Sequence, residues 1–202
     1  MCAAGNFDYD QEHLVFDDAV TRNFHFIERE YGYRLSHKAV FGNCKIIRYE
    51  SLDIYITFAY GPPTYEVEVS FGRIGIDDQA DAYSFCPGDL ILLEACENWA
   101  WRSENLDPLN GFITELARLF KECGSSCLRG DPTVFDQMKQ RRDLSVEVWR
   151  KREHENDIRV RAEKAWANKD YAAVARLYGE IVDSLTPAEE RKLQYSRKRN
   201  LR

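Results

Sequence analysis

The sequence predicts an α+β fold, in which an N-terminal helix lies on a small antiparallel β-meander and a helical C-terminal region follows. Apolar residues recur at helical spacing up to residue 31, alternate with polar residues between residues 44 and 72, and return mainly to helical spacing after residue 89. A chain of 202 residues, of which 44% are hydrophobic, is long enough to bury a core. We expect residues 1–105 to form the α+β domain and residues 106–202 the helical region, packed together as one globular unit.

The first helix is predicted from an apolar stripe that runs from Phe16 to Tyr31. Its members are spaced by three or four residues, which places them on one helical face. They are Phe16, Val20, Phe24, Ile27 and Tyr31. Gly32 follows directly and is typical of a helix C-cap. The stripe is therefore expected to cover one face of the sheet.

Three strands are predicted next, and the last two form a hairpin. A short strand occupies Cys44–Tyr49, and the hairpin pairs Leu52–Tyr60 with Tyr65–Gly72 around the loop Gly61-Pro62-Pro63. The residues expected to face the first helix are Ile54, Ile56, Val67 and Val69. Asp53, Glu66 and Glu68 then lie on the opposite face, where an acidic sheet surface is a candidate for binding a partner.

The middle of the chain is predicted to be mostly helical. Pro87-Gly88-Asp89 is typical of a helix start, but the apolar run at residues 90–96 fits a helix and a strand equally well. A helix is expected over Asn110–Cys127, with Gly124 disturbing its end. The break at Gly130-Asp131-Pro132 then precedes a further helix through Phe135 and Met138.

The tail is predicted to hold three more helices from Asp157 onward. The first covers Ile158–Asn168, and Asp170 can cap the second. The third opens with Thr186-Pro187-Ala188-Glu189, which is a capping box with proline at the first helical position.

The sequence holds no pattern typical of a catalytic, metal or cofactor site. Its six cysteines and four histidines match no zinc spacing, and it lacks both a Gly-x-Ser-x-Gly elbow and a Gly-rich phosphate loop. We expect no catalytic residues, no metal, no cofactor and six reduced thiols, with an enzyme whose site assembles from distant residues as the weaker alternative. With neither a secretory signal nor an 18-residue apolar window, we expect a cytoplasmic protein without a membrane partner.

Charge is distributed unevenly along the chain. Residues 1–138 hold 23 acidic and 11 basic residues, a net charge of −12, whereas residues 139–202 hold 11 acidic and 17 basic residues, a net charge of +6. The acidic part favours a basic protein partner, and a total charge of −6 disfavours nucleic acid. Trp99 and Trp101 add two aromatic candidates for partner contact.

Two stretches resemble known families. Leu116–Gly124, continuing to Leu128-Arg129-Gly130-Asp131 and Phe135, resembles small uncharacterised bacterial proteins, some of which are immunity proteins encoded beside polymorphic toxins. The segment from Ala162 to Pro187 resembles a single tetratricopeptide-type helical hairpin. The first resemblance implies a cytoplasmic binding protein that neutralises a basic toxin domain through its acidic N-terminal region. An adaptor that docks a partner through the helical C-terminal region is the alternative.

Overall fold

The computed structural model describes residues 9–62, 65–77, 84–93 and 108–200. Its elements confirm the α+β class, with an N-terminal helix, a four-stranded antiparallel sheet and a helical C-terminal region. The chain divides into two compact units, Met1–Arg142 and Asp143–Arg202, which we call the sheet unit and the helical unit. This division lies later than the predicted boundary at residue 105, because helix α3 (Pro108–Cys123) packs on helix α1 (Tyr9–Tyr31).

Helix α1 carries the predicted apolar stripe. Four of its members, Phe16, Val20, Phe24 and Ile27, are fully buried. The helix ends where predicted, since Gly32 has a φ of +73°, in the left-handed region that glycine adopts without steric strain. It begins seven residues earlier than the stripe, at Tyr9.

An ion-pair cluster ties α1 to the first two strands of the sheet. Asp17 is 9% exposed. Its Oδ2 atom lies 2.9 Å from the Nζ of Lys38 and 3.0 Å from the Nζ of Lys45. Two cations therefore offset the cost of burying this carboxylate.

The sheet has the strand order β1-β2-β3-β4, and every neighbouring pair is antiparallel. The strands are β1 (Arg34–Phe41), β2 (Cys44–Glu50), β3 (Ile54–Gly61) and β4 (Glu66–Arg73). The predicted hairpin is confirmed, because Phe58 pairs with Val69 and Ile56 with Phe71, and all four side chains are buried. Leu52 lies outside β3 and is 96% exposed, so the predicted strand starts two residues too early.

Strand β1 is missing from the sequence prediction, which had three strands. Seven of its eight residues are exposed, so no alternation of apolar and polar residues marks it. One sequence feature did indicate this strand. Gly42-Asn43 are the two residues between β1 and β2, and Gly-Asn is a common hairpin turn. Gly42 has a φ of +60°, as such turns require.

Among the described residues, three helices lie between the sheet and the long helix that follows. Helix α2 (Pro87–Ile91) shows that the ambiguous run is helical as far as Ile91, and residues 94–96 lie outside the described residues. Helix α3 ends at Cys123, and an added Cβ on the next residue, Gly124, would lie 2.8 Å from the carbonyl oxygen of Phe120. Helix α4 (Ser125–Leu128) follows, so the range Asn110–Cys127, predicted as one helix, contains a break.

Helix α5 (Pro132–Ala167) is continuous over 36 residues, where the sequence predicted two separate helices. It begins in the sheet unit and ends in the helical unit. Within the sheet unit, the guanidinium of Arg142 donates to both carboxylate oxygens of Asp89 and to the carbonyl of Ser84. Asp89 is 4% exposed, so this buried ion pair anchors α5 to the segment that carries α2.

The helical unit combines the end of α5 with α6 (Tyr171–Glu180), a short 3-10 turn (Val182–Ser184) and α7 (Pro187–Asn200). Both predicted caps are confirmed, by an Asp170 carboxylate bonded to the Ala173 N–H at 3.0 Å and by the Thr186–Glu189 box. A small core joins the helices and consists of Ile158, Ala162, Val174, Leu177, Tyr178, Ile181 and Leu193. No helix in the described ranges combines the length and apolarity needed to cross a membrane.

Candidate partner-binding surface

Glu66 and Glu68 lie side by side on one face of β4, and both are exposed. Their partners across the hairpin are small and uncharged, since Glu66 pairs with Gly61 and Glu68 with Ala59. Within the described ranges no ion pair or side-chain hydrogen bond involves Glu68. The two carboxylates lie close together above small side chains, so both add negative charge to this end of the hairpin.

The third predicted acid lies elsewhere. Asp53 is exposed in the bend before β3, and its carbonyl accepts a hydrogen bond from the Ile74 N–H at 2.7 Å. The adjacent Ile54 pairs with Arg73, at the opposite end of the hairpin from Glu66. At about 3.3 Å per residue, the length of β3 separates Asp53 from Glu66 by roughly 20 Å or more. Two of the three predicted acids thus come together, and Asp53 does not join them.

The two predicted tryptophans, Trp99 and Trp101, lie outside the described residues. The aromatic surface beside Glu66 consists of other residues. A pocket of about 600 Å³ opens between the end of the β3–β4 hairpin and the start of α3. It is lined by Tyr60, Tyr65, Glu66, Val67, Pro108, Leu109 and Phe112. We call this the tyrosine pocket.

Two tyrosine rings lie next to each other in the lining of the tyrosine pocket. The rings of Tyr60 and Tyr65 are 6.2 Å apart and inclined at 71°. Tyr60 is also stacked on Phe16 of α1, with centroids 5.3 Å apart and planes 23° apart. The core thus holds one wall of the pocket rigidly, and a rigid aromatic wall can receive an anchoring side chain with little loss of entropy.

Tyr65 has a φ of +53°, in a left-handed region that bulky side chains rarely occupy. Its N–H donates to the carbonyl of Gly61 at 2.9 Å, which holds this conformation in the turn. Such backbone strain typically persists where the surroundings fix it, and it is common at functional sites. Here it turns the Tyr65 ring toward Tyr60, next to the exposed Glu66.

Phe112 and Leu116 are four residues apart, a spacing that predicts one shared, core-facing side of α3. The structure instead leaves Phe112 39% exposed at the tyrosine pocket, whereas Leu116 is fully buried. The next residue, Ile113, is fully buried, so the buried side of α3 runs through Ile113, Leu116 and Phe120 and leaves Phe112 at its edge. Periodicity therefore identified the apolar side of the helix but not which residue at its edge reaches the core.

Cys86 and Cys127 show no sign of nucleophilic activation. Burial and the neighbouring Asp89 raise the pKa of Cys86, and burial raises the pKa of Cys127 well above its ordinary value. Both thiols are therefore protonated at neutral pH. Cys123 is disulfide-bonded, so the prediction of six reduced thiols is wrong at that residue.

Three histidines in the described ranges, His13, His25 and His37, make local contacts. The ring of His13 is buried and bonds the carbonyl of Asn43 at 3.1 Å, and His25 pairs with Glu28 on the surface of α1. His37 stacks on Phe41 of the same strand. Among the residues that the structure describes, no three His, Cys, Asp or Glu side chains are arranged to hold a metal ion.

Comparisons with protein-family models, with curated proteins and with solved structures found no match to this chain.

Proposed function

We propose that this protein binds and neutralises a basic protein partner, as an immunity protein does for a toxin domain. The observation that carries the proposal is the position of Glu66 and Glu68, two exposed carboxylates beside an aromatic pocket of about 600 Å³. Binding hot spots typically combine a desolvated aromatic socket with charged groups at its rim.

The charge of the sheet unit supports the same proposal. Residues 1–142 hold 23 acidic and 14 basic residues, a net charge of −9. Such a field attracts a basic partner before contact, and the exposed pair on β4 directs the encounter to the hairpin end. Nucleases and other enzymes that act on nucleic acid carry basic surfaces, which makes a toxin domain of this kind a suitable partner.

The tyrosine pocket supplies the short-range part of the binding. Tyr60, Tyr65 and Phe112 line this pocket, and aromatic rings attract apolar and cationic side chains of the kind that a basic partner carries. Truncating an aromatic anchor of this type commonly weakens a complex by about 2 kcal/mol or more. Attraction through the carboxylates and anchoring in the pocket are thus separable steps.

Neutralisation is tested by expressing the protein encoded beside this chain's gene in a bacterial host, with and without this chain. We expect the neighbour alone to stop growth and this chain to restore it. The double variant Glu66→Lys/Glu68→Lys should restore growth less well at equal expression. A neighbour that is harmless alone, or whose toxicity this chain leaves unchanged, would contradict the proposal.

Association kinetics at two salt concentrations test the role of the carboxylates. Glu68→Lys should slow association about threefold to tenfold at low salt and flatten its salt dependence. Asp53→Lys is the matched control, because it makes the same charge change at the far end of the same hairpin. Equal slowing by both variants would show that net charge, and not the Glu66–Glu68 pair, directs binding.

A further inference from the structure

The positive charge of the helical unit is concentrated in the last twelve residues of the sequence. Residues 143–190 hold 11 acidic and 8 basic residues, a net charge of −3. Residues 191–202 hold six basic residues and no acid, a net charge of +6. The positive charge of this unit therefore comes entirely from a segment that begins within α7.

Three of these cations share one side of α7 with a tyrosine. Arg191, Tyr195, Lys198 and Arg199 occupy positions i, i+4, i+7 and i+8, which lie on one face of a helix. All four are exposed, whereas Leu193 is 4% exposed and belongs to the core of the unit. We call the four exposed residues the basic face.

Two guanidinium groups of the basic face are each held by one hydrogen bond through Nε. The Nε of Arg191 donates to the carbonyl of Pro187 at 3.0 Å, and the Nε of Arg199 donates to the hydroxyl of Tyr195 at 3.0 Å. The Nη groups of both arginines make no hydrogen bond with any described residue. Each guanidinium is thus fixed in place and keeps four N–H donors for a ligand.

An aromatic cluster in turn fixes Tyr195. Its ring lies 5.6 Å from the ring of Trp166 and 5.4 Å from the ring of Tyr171, and those two rings lie 5.6 Å from each other. The guanidinium carbon of Arg199 lies 5.4 Å from the centre of the Tyr195 ring. A guanidinium held against a packed ring loses little entropy when it binds an anion.

The basic face has no carboxylate partner within the described ranges. Arg191, Lys198 and Arg199 form no ion pair there, whereas the neighbouring Lys192 is paired with Glu163. The helix dipole favours cations in the last turn, which accounts for Lys198 and Arg199 but not for Arg191, two turns earlier. The face is therefore suited to an anion that another molecule supplies.

Two observations favour an acidic protein segment over nucleic acid as that molecule. Bases bind by stacking on aromatic faces, but Lys192 lies 5.6 Å from the Trp166 ring and Arg199 lies 5.4 Å from the Tyr195 ring, so a cation already covers one face of each. The net charge of the whole chain, −6, also repels a polyanion that extends beyond the basic face. A short acidic segment avoids both obstacles.

We propose that the basic face binds an acidic segment of a protein partner, in which Arg191 and Arg199 each pair with one carboxylate. The two arginines are eight positions apart, so their backbones are about 12 Å apart along the helix axis. Carboxylates four residues apart in an extended segment are about 13 Å apart, which is close to this distance. The proposal uses no residue of the sheet unit and is independent of the proposed function.

Fluorescence anisotropy of a labelled octaglutamate peptide, titrated with the purified full chain at low salt, tests the basic face. We expect saturable binding in the micromolar range that weakens as the salt concentration rises. A labelled oligothymidine with the same number of negative charges should bind more weakly, because its bases find little open ring surface on which to stack.

Paired double variants show whether the basic face is the binding surface. Arg191→Gln/Arg199→Gln should raise the dissociation constant of the peptide about threefold to tenfold. Arg161→Gln/Arg176→Gln is the matched control, because it removes the same two charges from exposed arginines of the same unit that pair with acids on their own helices. The control should change the constant less than about twofold. Circular dichroism should show the same helix content in all three proteins.

Three results would overturn the proposal. The first is a full chain that does not bind the peptide at low salt. The second is equal weakening in the two double variants, which would show that net charge, and not the basic face, attracts the peptide. The third is an oligothymidine that binds at least as tightly as the peptide, which would assign the face to nucleic acid. None of these results bears on neutralisation through the sheet unit.

Discussion

The sheet unit and the helical unit are stabilised in different ways. The sheet unit buries charged groups and pairs them with residues far away in the chain, as Asp89 does with Arg142. It also has a core rich in aromatic rings, in which Phe120 contacts both Phe24 and Phe71. The helical unit has a small, largely aliphatic core and depends on caps and ion pairs close to its surface.

This difference predicts which substitutions destabilise each unit most. Removing one member of a buried pair leaves an uncompensated charge in the interior, which is far more destabilising than losing the same pair at the surface. Substitutions that remove a buried charge should therefore lower the stability of the sheet unit most. The stability of the helical unit should fall most when core volume or a helix cap is lost.

The largest effect is expected when the buried pair of the sheet unit is broken. Arg142→Met leaves the Asp89 carboxylate buried without its cation and should lower the free energy of unfolding by about 3–5 kcal/mol. The control Arg161→Met removes a pair with Asp157 in which both side chains are more than half exposed, and it should cost less than about 1 kcal/mol. Urea unfolding followed by circular dichroism measures both. Similar losses in the two variants would remove the contrast between the units.

A loss of core volume should be next in size, and it falls on the helical unit. Leu193 is 4% exposed on α7 and belongs to the small core of that unit. Leu193→Ala should cost about 2–4 kcal/mol, through lost burial and the cavity that remains. The same urea titration measures it. A cost below about 1 kcal/mol would mean that the core refills and is loosely packed.

A smaller effect is expected at the cap of α7. The Thr186 hydroxyl accepts from the Glu189 N–H at 3.3 Å, and the Glu189 carboxylate accepts from the Thr186 N–H at 2.7 Å. Thr186→Ala should cost about 1 kcal/mol. Thr133→Ala is a suitable control, because Thr133 is exposed in the first turn of α5, where its backbone N–H bonds Asp131. Equal costs at Thr186 and Thr133 would argue against the capping box.

The smallest effect is a pH dependence at Glu163. A hydrogen bond from Lys192 and another from the Tyr178 hydroxyl at 2.7 Å hold the pKa of Glu163 below its usual range. A carboxyl whose pKa is lowered in the folded state stabilises the fold above the unfolded pKa, and this contribution is lost as pH falls through the folded pKa. Because the side chain is 50% exposed, the contribution should stay below about 1 kcal/mol.

Glu163→Gln should therefore destabilise the protein at pH 7 and lose most of that effect below about pH 4. Urea titrations of both proteins at several pH values measure the difference. Asp183→Asn, a change at an exposed carboxylate in the same unit, controls for the loss of one negative charge. A difference that stays constant from pH 7 to pH 3 would show that the bonds to Lys192 and Tyr178 do not act through this titration.

Sequence patterns predicted those parts of the fold that are determined locally. The α1 stripe, the β3–β4 hairpin and the caps at Asp170 and Thr186 all depend on residues within a few positions of one another. Strand β1 and the middle of α5 were missed for one physical reason. Both are exposed, and a segment that packs on little carries no apolar periodicity to detect.

The candidate site was only half predictable for a related reason. Alternation along β4 identified Glu66 and Glu68 as a pair on one face. The tyrosine pocket joins the end of a hairpin to the start of a helix more than forty residues later, and only tertiary packing brings Tyr65 near Phe112. The burial of Asp89 likewise depends on Arg142, 53 positions away.

The placement of Cys127 makes it a reporter that needs no engineering. All six cysteines precede residue 128, and none occurs in Asp143–Arg202. Cys127 is 1% exposed with a raised pKa, so an alkylating reagent reaches its thiolate only when the surrounding structure opens. The mass added at Cys127 over time therefore measures how often the sheet unit opens, and motion confined to the helical unit adds nothing to the signal.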